Sequence, residues 1–185
     1  MSLTVKDLEK LNSLLSSQHL DYQMELVDGK IIVRGPSDIY SSEVGARLIR
    51  FLGNWIDPRR LGRVFDSSGG FILPNTNVNA PDVSFVSSER LRKSPRYFAQ
   101  MLPDLMVEIK SQSDRIKPLE EKILQFLALG TEIGMLIDPD KETVTIYYRS
   151  GQQPVVLGNG DTITLPELLP GWSVLVSELW PPVFE

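Results

Sequence analysis

Asp82, in the segment PDVSFV, and Glu108 with Lys110, in the segment PDLMVEIKSQSD, are the residues whose types and spacing suit catalysis. Both segments read as strands, in which alternate side chains share a face. Met106, Glu108 and Lys110 then point one way, and Leu105, Val107 and Ile109 the other. Glu108 and Lys110 lie about 7 Å apart along such a strand, close enough to converge on one small ligand. The same pair also suits a plain sheet face turned to solvent. Asp82 changes the balance. It follows Pro81 at the start of its strand, on the face opposite Val83 and Phe85. If that strand neighbours 104–110, Asp82 and Glu108 meet at the strand ends. Adjacent carboxylates raise one another's pKa unless a cation lies between them. A divalent ion with oxygen ligands answers that need, and a nearby lysine can orient water or steady an oxyanion. These are the parts of a phosphodiester-hydrolysing site.

Composition narrows the metal. The chain has no cysteine and one histidine, His19, which removes disulfides, thiolate ligands and a His-rich zinc site. Any ion would be held by carboxylate, carbonyl and water oxygens, which suits magnesium, manganese or calcium. A net charge of −5 argues against a general nucleic-acid coat. It leaves room for a local basic groove, because the field near a site follows local charge. Arg90, Arg92, Lys93 and Arg96, with Tyr97 and Phe98 beside them, suit phosphate contacts and base stacking. The same stretch also suits a solvated loop helix. No helix-turn-helix or zinc-finger pattern supplies sequence-specific reading.

The elements that must hold these residues follow from length and pattern. With 185 residues, 42% hydrophobic and 23% charged, one soluble domain over 1–185 is expected. No apolar run is long enough to span a bilayer, and no signal-peptide pattern is visible, so a cytoplasmic location is expected. A helix within residues 1–20 is announced by a capping box from Thr4 to Asp7 and the stripe Val5, Leu8, Leu11 and Leu14/Leu15. Asp28-Gly29 marks a hairpin. Residues 37–56 read as an amphipathic helix burying Val44, Leu48, Phe51/Leu52 and Trp55, with Glu43 and Arg47 on its polar side. Residues 62–74 read as a second hairpin turning near Ser67–Gly70. Ser113, Asp114 and Pro118 announce another helix, with Leu119, Ile123 and Phe126/Leu127 inward and Gly130 at its end. IGMLI and TVTIYY form a hairpin over DPDKE, and QPVVL, DTITL and WSVLV are short strands. Together these predict a mixed α/β (α+β) sandwich of helices on a twisted sheet.

Pro81-Asp82 followed by Glu108-x-Lys110 resembles the PD-(D/E)XK nuclease superfamily. MELVDGKIIV, FDSSGGFILP, NAPDVSFVSSERL, PDLMVEIKSQSD, EKILQFLALGTEIGMLIDPDKETVTIYY and LPGWSVLVSELW, in that order, resemble the Uma-type family of restriction-endonuclease-like proteins over residues 22–181. The resemblance implies a restriction-endonuclease-like fold, a central mixed sheet flanked by helices. It implies a metal-dependent endonuclease acting on DNA, with Mg2+ or Mn2+ held by Asp82, Glu108 and the Ile109 carbonyl. Lys110 would position or activate the attacking water. The superfamily also carries an acid on its first core helix. Glu43 is the candidate, although its spacing to Arg47 suits a surface ion pair; Glu25, in the MELVDG strand, is the rival. Tyr40 departs from the polar residue, often histidine, that relatives carry near this position. Many relatives take their lysine from the following helix, which makes Lys122 the alternative to Lys110; beside Glu121 it also suits a plain helix surface. A homodimer is implied too, and the apolar tail LVSELWPPVF suits an interface. The competing expectation is a catalytically inactive nuclease-fold module for binding or assembly.

Overall fold

Alternation along one strand decides which side of the protein receives each candidate residue. The computed structural model describes residues 2–20 and 22–184. Its main sheet holds six strands in the spatial order β10 (Val155–Leu157), β9 (Thr143–Tyr148), β8 (Ile133–Asp138), β7 (Leu105–Ile109), β6 (Val83–Ser87) and β3 (Gly62–Asp66). Only β7 and β8 run parallel, and the crossover between them is α3 (Ile116–Leu129). Every residue of β7 is buried, because helices cover both faces. Leu105, Val107 and Ile109 pack with Val83 and Phe85 under Val44, Leu48, Leu52 and Ile56 of α2 (Ile39–Arg59). Met106 and Leu136 pack on the other face against Ile123, Phe126 and Leu127 of α3. The two-residue period therefore delivers Glu108 to the α3 side.

A second, smaller sheet stands beside the first, in the order β2 (Lys30–Arg34), β1 (Gln23–Val27), β5 (Val78–Asn79), β4 (Phe71–Ile72). Asp28 and Gly29 both take positive φ, 48° and 71°, as the expected two-residue hairpin requires. α1 (Val5–Ser17) carries the expected Thr4–Asp7 capping box and buries Leu8 against Leu26 and Val78. The three short C-terminal strands are present: β10 extends the main sheet, while β11 (Thr162–Thr164) and β12 (Ser173–Leu175) pair with each other.

Four sequence readings need correction. The helix predicted over 37–56 starts at Asp38, whose carboxylate accepts from Ser41 N–H at 2.9 Å, and runs to Arg59. Pro58 does not stop it, because in the last turn a proline forfeits only one intrahelical bond. Residues 62–74 are not a hairpin: β3 pairs with β6 in the main sheet, and β4 with β5 in the small one. A turn signal fixes a change of direction, not the partner. Residues 88–104 form a loop with no helix. In the C-terminal tail Val176, Leu179 and Trp180 are buried, leaving Val183 and Phe184 as its strongly exposed apolar residues. Among the described residues no helix is long and apolar enough to cross a membrane.

Close packing of α3 on the sheet depends on Gly134. A Cβ there would lie 2.3 Å from Ile123 Cγ2. Gly134→Ala should therefore lower stability by about 1–3 kcal/mol, the usual cost of overpacking. A urea melt of the variant matching that of the native chain would show that this contact yields freely.

Candidate active site

Strand register brings the first two residues together. Val83 lies opposite Val107 and Ser84 opposite Met106, which leaves Asp82 across from Glu108 on the α3 side. Directly opposed side chains have Cβ atoms about 4.5–5.5 Å apart. Asp82 precedes the first residue of β6, so it has left the ladder, and its Oδ2 accepts from the Ile109 N–H at 2.7 Å. Lys110 N–H bonds the Ile137 carbonyl on β8. By the alternation of a parallel ladder, the N–H and C=O of Ile109 both face the Asp82 edge.

Two further elements complete the cluster. α3 leans across the sheet and places Lys122 Nζ 3.1 Å from Glu25 Oε1 and 2.9 Å from Glu108 Oε1. Among the described residues, buried Glu108 Oε1 meets no donor other than this ammonium. Glu25 comes from β1 and is 2% exposed. It also accepts from the Ala80 N–H at 2.9 Å and from Arg34 Nε at 2.6 Å. Asp82, Glu108, Glu25, Lys122 and Arg34 line a cleft of ≈ 530 Å³ between the two sheets.

Burial pushes the Glu108 carboxyl up to about 7; Lys122 opposes this and Asp82 adds to it. Burial likewise raises Asp82, against the Ile109 N–H and Lys122. For Lys122, burial works against the charge, but Glu108 and Glu25 outweigh it and hold the ammonium above the usual lysine value. For Glu25 the burial cost is outweighed by Lys122 and Arg34, so its carboxyl is lowered. The carboxylates are thus held unequally by one shared cation.

The donor set fits a hard divalent ion. Among the described residues no three His, Cys, Asp or Glu side chains converge into a complete cage. Magnesium does not need one, since it usually keeps several waters beside one or two carboxylates. Glu108, the opposed Asp82 and the Ile109 carbonyl offer oxygen donors only, as that chemistry requires.

Other sequence candidates lie elsewhere. β7 ends at Ile109, so the alternation that would return Lys110 to the Glu108 side stops there. Lys110 Nζ instead meets Asp140 at 2.5 Å, in a separate ≈ 390 Å³ cavity that it shares with Tyr40. Glu43 is on α2, which packs on the opposite face of the sheet, and it pairs with Arg47 at 3.6 Å. Its rival Glu25 is the acid beside Lys122. Arg90 is tied to Asp104 and to the Leu102 carbonyl, so it braces its own loop. Arg92, Lys93 and Arg96 are exposed, but they follow the far end of β6. Five strand residues place that end about 17 Å from Asp82.

Arg34 was not anticipated, although a signal existed. The two-residue turn at Asp28-Gly29 sets Glu25 opposite Ile32 and Gln23 opposite Arg34. Counting outward from the turn therefore puts Arg34 diagonally beside Glu25 on one face.

The chain belongs to the Uma2 family, described as "Putative restriction endonuclease", whose model matches residues 6–177. No curated protein matches it. Among solved structures it is similar to the crystal structure of a "putative nuclease belonging to DUF820" from Anabaena variabilis. That likeness has a TM-score of 0.76 at 22% identity and covers 88% of this chain and 94% of the other. The shared restriction-endonuclease-like architecture is a mixed sheet between helices. A cryoEM structure of a DrdV–DNA complex is similar over 60% of this chain and 10% of that one, at 17% identity and a TM-score of 0.39. This second likeness is too slight to define a common fold.

Proposed function

We propose that the protein is a metal-dependent endonuclease that hydrolyses DNA phosphodiester bonds in the cleft between its two sheets. One observation carries the reading: Asp82 lies across from a buried Glu108, and with Glu25 these carboxylates share the cations of Lys122 and Arg34. A structural sheet gains nothing from crowding these carboxylates, since like charges side by side raise one another's pKa unless a cation lies between them. Family membership agrees with the chemistry.

Mg2+ or Mn2+, held by Asp82, Glu108 and the Ile109 carbonyl, would supply a Lewis acid and lower the pKa of its bound water. The chain's own groups do the rest. Lys122, kept charged by Glu25 and Glu108, counters the negative charge that grows on the phosphate and orients the attacking water. Glu25 fixes Lys122 in place. The reaction joins a water oxygen to phosphorus as the bond from phosphorus to the leaving oxygen breaks, and that oxygen takes up a proton.

The deciding experiment pairs a cleavage assay with calorimetry. Supercoiled, linear, single-stranded and branched DNA are incubated with magnesium or manganese, and manganese is titrated into the protein alone. Cleavage and a manganese heat, both lost in Asp82→Asn, are the expected result. A native chain that neither cuts nor takes up manganese would sink the reading. It would favour a nuclease-fold binding or assembly module whose charges are settled by Lys122, as its double contact with Glu25 and Glu108 allows. A homodimer forms part of the proposal, and exposed Val183 and Phe184 suit such a contact. Light scattering at micromolar concentration should return twice the mass of the chain; a monomer refutes it.

A further inference from the structure

We propose that Arg34 is the substrate-phosphate clamp of this cleft, held in its working orientation by Glu25. The assignment rests on the nuclease reading and names a residue that the carboxylate–lysine pattern does not include. Arg34 ends β2, the outer strand of the small sheet, and lines the cleft together with Lys122 of α3. Its Nε donates to Glu25 Oε2 at 2.6 Å. A guanidinium carries five N–H donors in a rigid fork. Among the described residues this is its only hydrogen bond, so both terminal nitrogens remain available. The Arg34 side chain is 46% exposed, whereas that of Glu25 is 3% exposed.

A counter-ion for Glu25 alone would not need this arrangement. Glu25 Oε1 already has Lys122 at 3.1 Å and the Ala80 N–H at 2.9 Å. Arg34 takes the other oxygen through Nε, which leaves both terminal nitrogens without a partner among the described residues. Arg34 lines the cleft; two parallel N–H groups of a guanidinium match two oxygens of a phosphate, and planar bidentate recognition is the property that separates arginine from lysine. Glu25 thus divides two cations between two tasks. It steadies Lys122 over the carboxylates on one side and aims Arg34 at the nucleic-acid backbone on the other. A phosphate gripped there orients the strand before any bond is broken, so the clamp contributes to binding more than to chemistry.

The test compares the native protein with Arg34→Met and Arg34→Lys. Steady-state cleavage is measured with manganese, and DNA binding by anisotropy in EDTA across a salt series. The expected result for Arg34→Met is a KM raised about 10- to 100-fold, the worth of a charged hydrogen-bond pair, with a smaller change in kcat. The slope of log affinity against log salt should fall by about 0.7–0.9, one phosphate contact. Arg34→Lys should recover the salt slope but only part of the KM, because it restores the charge without the fork. The manganese heat in the absence of DNA should persist in both variants, which separates a clamp from a mere support of the metal ligands. An unchanged KM and salt slope in a folded Arg34→Met that cuts DNA overturns the assignment alone. A native protein that neither binds nor cuts DNA overturns the nuclease reading and the assignment together.

Discussion

Lys122→Met should abolish cleavage and also weaken the fold, whereas Lys110→Ala should do neither. Lys122 is the one ammonium shared by Glu25 and Glu108, and its side chain is 11% exposed. Methionine matches its length and keeps the apolar stem against the sheet, so the variant removes charge more than volume. What remains is a buried Glu108 facing Asp82 with no cation beside it. Breaking a buried ion pair from one side typically costs about 3–5 kcal/mol. Loss of a positioned charge at the phosphate should lower the cleavage rate about 10²–10⁴-fold. The Lys110 side chain is 12% exposed, but its partner Asp140 is 64% exposed and opens the pair to solvent in another cavity, so the pair is worth at most about 1 kcal/mol. Chemical melts and a cleavage assay on both variants check this. Should Lys110→Ala lose activity while Lys122→Met keeps it, the catalytic lysine has been placed wrongly.

Glu108→Gln should separate activity from stability. The substitution keeps shape and replaces a carboxylate that burial and Asp82 push up to about 7. Activity should fall by 10² or more, since the amide is a poor ligand for a divalent ion and carries no charge. Metal-free, however, the variant should be the more stable of the two at neutral pH, by about 1 kcal/mol. Lys122 keeps Glu25 as its partner, and one carboxylate fewer is crowded into the cleft. The sign with pH follows. A carboxyl raised on folding contributes fully below its unfolded value near 4.5, and that contribution is lost as pH rises toward 7. In EDTA the native chain should therefore lose stability relative to Glu108→Gln between about pH 4.5 and 7. A variant less stable than the native chain throughout that range would mean that Glu108 is a supporting strut of the fold.

Local periodicity carried much of the architecture and the Asp82–Glu108 half of the candidate site. The alternation in DLMVEI told which side Glu108 takes, and the Asp28-Gly29 turn told the register of the first hairpin, because both are set by neighbours in sequence. The opposition of Asp82 to Glu108 also followed once β6 and β7 were taken as partners. Other features needed the tertiary structure. Whether Lys110 or Lys122 reaches the carboxylates depends on where β7 stops and how α3 crosses it. Both lysines have sound local patterns, and nothing nearby in sequence decides between them. Glu43 and Glu25 differ in the same way, since each is an acid on an amphipathic element. Only the packing of α2 on the opposite face removes the first. Partner choice for β3 was hidden too, because the nearest strand in sequence is not its neighbour in space.

The Glu25–Lys122 contact joins residues 97 positions apart, and the bonds from Ala80 and Ile109 bridge separations of 55 and 27. No stretch of the chain shorter than that span contains the constellation. During synthesis the small sheet emerges first, the two central strands later, and the helix bearing the lysine later still. A nascent or truncated chain that ends before Lys122 can pair β6 with β7 and so oppose Asp82 to Glu108, but it lacks the ammonium that meets Glu108 and Glu25. Loop closure over such distances is also the slow part of folding. On the proposed reading, a chain that ends before Lys122 would lack the charge assigned to the phosphate, so cutting would wait for the completed domain.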